Sequence, residues 1–127
     1  MTASHNNQLL ALRPEITTEP SATIAEQFQN DTLRPILKLQ NELLIRVFRQ
    51  YIFKHKDTFR KLSLTEQTIY VAKSIRQDPQ LRHLLRGIII GHFTEMEWQQ
   101  FTDHEDEVNK RMMKLIEQRF ISQLSLI

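Results

Sequence analysis

The chain has no cysteine and only two glycines in 127 residues. The first absence removes disulfides, thiolate metal sites and a cysteine nucleophile together. The second is strong against an average usage of roughly nine glycines at this length. Glycine supplies the positive-φ turns of hairpins and the close backbone approach of phosphate loops, so its scarcity argues against β-rich and dinucleotide-binding folds. Long apolar runs are missing as well. The run Leu9-Leu10-Ala11-Leu12 has no basic residue before it and is too short for a signal peptide or a membrane span. A cytoplasmic location without membrane attachment is therefore expected.

What is present fits one small domain. Apolar residues make up 40% of the chain and charged residues 25%, which is enough to build a packed core without a structural metal. The formal net charge of +2 conceals segregation along the chain. Residues 33–61 hold eight basic residues against Glu42 and Asp57. Residues 94–109 hold Glu95, Glu97, Asp103, Glu105, Asp106 and Glu107 with no basic residue. A basic block thus faces an acidic one.

Residues 1–22 are polar, contain Pro14 and Pro20, and show no sustained period; they read as a flexible N-terminal arm. Residues 23–127 read as a single helical domain. A short helix is expected over 23–31, with Ile24 and Phe28 on one side. The first long helix is expected to start near Thr32 as its cap, with Pro35 tolerated in the first turn. Its apolar residues, from Leu33 to Ile52, spread over a broad arc, as in a central helix with several neighbours. Ser63-Leu-Thr-Glu66 is a capping box that opens a helix to about residue 77. Asp78-Pro79 pairs an N-cap with a first-turn proline and opens the next helix, with a Leu81, Leu84, Leu85, Ile88 stripe. Thr94-Glu-Met-Glu97 is a second capping box, leading Met96, Trp98 and Phe101. From about residue 104, Val108, Met112, Leu115, Ile116 and Phe120 recur at helical spacing. The fold expected is all-α, about five helices in an orthogonal or irregular bundle.

The strings EQFQN (26–30), TLRPILKLQNELL (32–44), GIIIGHFT (87–94) and NKRMM (109–113) resemble a family of small bacterial all-helical proteins, some of which carry the label glyoxalase. The likeness runs from about residue 26 to the end. It implies a helical fold and no mechanism, because this chain has neither paired β-rich modules nor a dense histidine motif.

Five histidines invite a metal reading, yet no two stand at i, i+4 or in an HExxH pattern, so neither a metal nor another cofactor is expected. His92 falls in line with Leu81, Leu85 and Ile88 and should point inward, bonded to a carbonyl at the edge of the core. Gln40, Asn41, Asn109, Arg119 and Gln123 also fall on apolar arcs, and buried polar groups must find partners. Two arrangements satisfy them: a structural network between helices, which is favoured, or a polar pocket of Gln40, Asn41, His92, Asn109 and Arg119. Gly87 and Gly91, four apart on a helix, suggest that another helix or a ligand approaches the backbone closely, with close packing favoured over the alternative that Gly91 ends the helix.

Arg46, Arg49, Lys54, Lys56, Arg60 and Lys61 form a basic surface that could contact phosphates, and the helix over about 64–77 with the one opened by Asp78-Pro79 has the outline of a helix-turn-helix. The second of these helices is too apolar for a recognition helix. A solvated face, or docking of the basic surface against the acidic block within the chain or across a dimer, is the preferred account. Exposed Phe53 and bordering Ile45 could mark a dimer seam. The expected function is a non-catalytic interaction or small-ligand-binding module, with a homodimer or a protein partner. A small-molecule enzyme using His92 as acid or base and a weak nucleic-acid binder through residues 46–61 are the alternatives.

Overall fold

The computed structural model describes residues 2–17 and 20–127. Among these the chain is 78% helix with no strand. The helices are α1 (Ala3–Ala11), α2 (Ile24–Phe28), α3 (Arg34–Leu39), α4 (Asn41–Lys54), α5 (Leu64–Gln77), α6 (Pro79–Ile90), α7 (Glu95–Asp103) and α8 (Glu105–Ile121). The all-α expectation holds, but the number of helices exceeds the five expected.

The excess arises in two places. Residues Ala3–Ala11, inside the stretch expected to be a flexible arm, form a helix capped by the Thr2 hydroxyl, which accepts the His5 N–H. The remainder comes from the first long helix, which does not begin at Thr32. Helical structure already runs from Ile24 through a π-turn at Gln29–Leu33 into α3. In a regular α-helix the Pro35 ring would strike the carbonyl four residues back. Here the Arg34 N–H reaches the Gln29 carbonyl, five residues back, and this wider turn leads into the proline. Thr32 is consequently buried inside the turn instead of capping a helix. The break falls later, at Gln40, whose φ of −99° and ψ of 14° separate α3 from α4.

The remaining starts follow local chemistry. Both capping boxes are formed, by Ser63 with Glu66 and by Thr94 with Glu97. Asp78 ends α5 and caps α6 by accepting the Gln80 and Leu81 N–H groups, so one residue makes the whole turn.

The core is one contiguous cluster. From α4 it takes Leu44, Ile45, Phe48 and Ile52; from α8, Val108, Met112, Leu115, Ile116 and Phe120. Phe48 is completely buried, with the Phe120 ring centroid 4.9 Å away and Phe59 edge-on at 6.3 Å. Burying such a ring contributes about 3 kcal/mol. Phe93, just after α6, meets Phe28 edge-on at 5.4 Å and joins α2 to the α6–α7 corner.

Several amphipathic expectations change in detail. Ile45 is 4% exposed and belongs to the core, whereas Phe53 is 67% exposed. Ile24, Leu64 and Met96 also face solvent. Gly87 does not mark close packing: a Cβ there would meet nothing within 4 Å. Gly91 caps the end of α6, and a Cβ there would stand 3.2 Å from the Gly87 carbonyl oxygen.

Candidate functional site

The inward polar residues separate into distinct sets. Gln40, at the break between α3 and α4, brings its Nε2 to 2.7 Å from His92 Nε2. With the Gln40 amide donating, His92 Nε2 accepts and the ring proton sits on Nδ1, which is buried without a partner among the described residues. Burial, followed by the nearby Arg13 charge, lowers the His92 pKa and favours the neutral ring. The expected carbonyl partner for this imidazole is therefore replaced by an amide side chain.

Asn41, the next residue, turns to α8 instead. Its amide exchanges two 2.8 Å bonds with Gln123, and its Oδ1 also accepts from Arg119 at 3.2 Å. Gln123 closes the set by donating to the Arg119 carbonyl at 3.0 Å. Burial, then repulsion from Arg34, lowers the Arg119 pKa. Arg119 lines a surface depression with Arg34, Leu37, Gln118 and Gln123, and His92 is not part of it. Asn109 lies apart, in the groove between α5 and α8, with its Oδ1 buried and without a partner among the described residues. These residues thus form two internal connections and one separate group.

A third polar cluster combines residues that helical periodicity did not bring together. Arg13 and Glu97 form an ion pair whose side chains are only 6% and 11% exposed. Arg13 Nη1 donates to Glu97 Oε2 at 2.6 Å, while Nη2 donates to Oε1 at 2.7 Å and to the His92 carbonyl at 2.6 Å. The same carboxylate accepts the Thr94 N–H at 2.9 Å and the Thr32 hydroxyl at 3.0 Å. Burial pushes the Glu97 pKa up, but the Arg13 and Thr94 hydrogen bonds, the Arg13 charge and the Thr32 hydroxyl together hold it below the ordinary carboxylate value. The capping box was legible in sequence; its distant arginine was not. The signal available was the isolation of Arg13, the lone basic residue before Arg34 apart from His5.

The basic residues 46–61 do not dock against the acidic block in any ion pair among the described residues. Arg46 pairs with Glu42 on its own helix at 3.0 Å, and the Arg49 guanidinium donates to the Leu126 carbonyl. Lys54, Lys56, Arg60 and Lys61 are exposed. Positive φ at Lys56 and Asp57 turns the chain out of α4. Charge from the acidic block is held elsewhere, by Arg13 on Glu97 and by Arg111 on Glu107 at 3.3 Å.

The more structured basic surface lies along α8. A groove of about 830 Å³ between α5 and α8 combines apolar Ile75, Met113 and Ile121 with Arg76, Arg82, Lys110 and Lys114. Asp106 and Glu117 also line it, and Glu117 is engaged by Arg76 at 2.9 Å. Lys110 and Lys114, four residues apart, also border the adjoining depression containing Arg34 and Arg111. Among the described residues, Arg82, Lys110 and Lys114 make no ion pair. Sequence reading missed this surface because α5, α6 and α8 supply its charges separately.

No group of three His, Asp or Glu side chains among the described residues is placed to hold a metal ion. No helix among them is long and apolar enough to cross a membrane. The chain matches no protein-family model, no curated protein and no solved structure.

Proposed function

We propose that the chain is a non-catalytic interaction module that presents the α5–α8 groove to an acidic amphipathic segment of a protein partner. The observation carrying this reading is a surplus of cationic residues around one open groove that has half-buried Ile121 at its side and the buried Ile75 and Met113 at its floor. Ile121 and the aliphatic stems of Lys110 and Lys114 can accept an apolar strip of a helix over the buried Ile75 and Met113, while Arg82 and the lysine ammonium groups can meet its acidic flank. The presence of Asp106 and Glu117 makes an unbroken phosphate backbone a poorer match than a protein surface of mixed character. In this reading the helices make an irregular bundle operating in the cytoplasm. The resemblance to small bacterial helical proteins adds a scaffold to the proposal, not an activity.

A fluorescently labelled, helix-forming peptide rich in glutamate and leucine provides the test. Binding by the full chain should weaken about tenfold when Lys110→Glu and Lys114→Glu are combined, a change corresponding to two exposed charge contacts. Raising the salt concentration should weaken binding in the same direction. Absence of peptide binding at low salt overturns the proposal. Binding of random duplex DNA instead would favour the nucleic-acid alternative.

A further inference from the structure

The α6–α7 corner has the features of a receptor for a guanidinium group. Its acceptors are the Glu97 carboxylate and the His92 carbonyl, and both belong to the body of the domain. The carboxylate is oriented by groups other than Arg13: Thr94 N–H donates to Oε1, while the Thr32 hydroxyl donates to Oε2. The Thr94 hydroxyl accepts the Glu97 N–H in return, fixing the start of α7. The slot is consequently organised by α7, the π-turn before α3 and the end of α6.

Its occupant has a different standing. Arg13 follows α1, a helix that contains no buried residue. A bond of 3.3 Å from the Glu95 N–H to Asn6 Oδ1 is an additional polar attachment of that helix. Yet the Arg13 side chain itself is deeply seated, and its two terminal nitrogens make three short hydrogen bonds. Its Nε is buried without a partner among the described residues, so even this arginine leaves one donor unused. A weakly buried segment therefore delivers a strongly held side chain into an organised anionic slot.

We propose that this slot is a general arginine-binding site, occupied in cis by Arg13 and able to accept an arginine from another peptide segment when the N-terminal segment is displaced. The planar fork of arginine fits the bidentate carboxylate and adjacent carbonyl; an ammonium group supplies charge without that geometry. The inference is independent of the α5–α8 groove and can succeed or fail separately.

The test uses the full chain with Arg13→Ala and ethylguanidinium at millimolar concentration, with ethylammonium at equal ionic strength as the control. Ethylguanidinium should raise the melting temperature of Arg13→Ala saturably, while ethylammonium should have a smaller effect. At ten times its dissociation constant, a ligand confined to the folded state shifts the folding equilibrium by about elevenfold. The effect should disappear in Arg13→Ala/Glu97→Gln, and the unsubstituted chain should show little shift because its slot is filled. If Arg13→Ala is unfolded, recovery of helical circular dichroism becomes the readout. A peptide containing residues 2–17 should bind Arg13→Ala in trans, whereas its Arg13→Ala counterpart should not. Failure of ethylguanidinium to stabilise or refold the variant, equal rescue by ethylammonium, or equal binding of both peptides would overturn the proposal.

Discussion

The clusters around Glu97 and Asn41 both bring polar side chains inward, but they solve different electrostatic problems. Glu97 is an anion held by Arg13, Thr94 and Thr32. Asn41 and Gln123 are neutral amides that satisfy each other, with Arg119 attached at their edge. Removing either ion-pair partner, Arg13 or Glu97, from the first cluster leaves a charge without its counterion. Removing a member of the second leaves donors and acceptors unmet but creates no isolated carboxylate. The comparison therefore predicts unequal costs, the more so because Glu97 is buried while Asn41, Arg119 and Gln123 are half-buried.

The largest effect should come from Arg13→Ala, which should destabilise the domain by about 3–5 kcal/mol because Glu97 retains its buried charge. Chemical denaturation at pH 7 measures this loss. Combining Arg13→Ala with Glu97→Gln should recover part of it, since the uncompensated charge is gone. A loss below about 1 kcal/mol for Arg13→Ala would place the pair with ordinary surface ion pairs. The acid limb supplies a second check. The folded-state pKa of Glu97 is depressed, so its contribution is complete above the unfolded value of about 4.3 and disappears as pH falls through the folded value. Arg13→Ala should reduce that acid dependence.

The next effect should come from Asn41→Ala. It removes the two-way amide contact and the acceptor for Arg119, with an expected cost of about 1–3 kcal/mol. A double-mutant cycle with Gln123→Ala should show coupling, because the two amides bond directly. Additive losses would show that their proximity contributes no measurable pair interaction. An equal or greater loss than Arg13→Ala would reverse the proposed ordering of the two clusters.

The two clusters were unequally legible in the sequence. Helical phase brought Asn41, Arg119 and Gln123 to inward positions and suggested that they needed polar partners. It could not specify that Gln40 and Asn41 diverge at a helix break, one toward His92 and the other toward α8. Nor could it identify the Arg13–Glu97 pair, whose members are 84 positions apart. Local rules did find the Thr94–Glu97 capping box, but that box explains only one of the carboxylate's attachments. A similar limit applies to Pro35: its compatibility with a helical first turn was legible, while the preceding π-turn depends on the longer packed segment. The α8 groove was missed because its charges converge from separate helices, although each charge was visible individually.

Gly87 offers a smaller, nonpolar contrast. Unlike the organised Glu97 and Asn41 clusters, its missing side chain leaves room where an added Cβ meets no atom within 4 Å. Gly87→Ala should increase stability by about 1 kcal/mol through helix propensity, with the effect read from the denaturation midpoint at an unchanged slope. A comparable destabilisation would show that this position requires glycine for a reason its open surroundings do not reveal. Gly91→Ala should gain less or lose stability because its added Cβ presses against the Gly87 carbonyl.

The finest comparison separates the His92 and Glu97 titrations. Burial, then the Arg13 charge, lowers the folded-state pKa of His92. The contribution from keeping its ring neutral is therefore complete above the unfolded value of about 6.5 and declines as pH falls through the depressed folded value. His92→Gln should flatten the stability change beginning near pH 6.5, while leaving the Glu97-dependent acid limb below about 4.3. Denaturation curves at pH 7.5, 5.5 and 3.5 distinguish those windows. If the pH 7.5-to-5.5 change is the same in the variant and unsubstituted chain, His92 does not supply it. If both limbs flatten together, the Gln40–His92 connection is coupled to the Arg13–Glu97 slot, with the His92 carbonyl and Arg13 as their direct structural link.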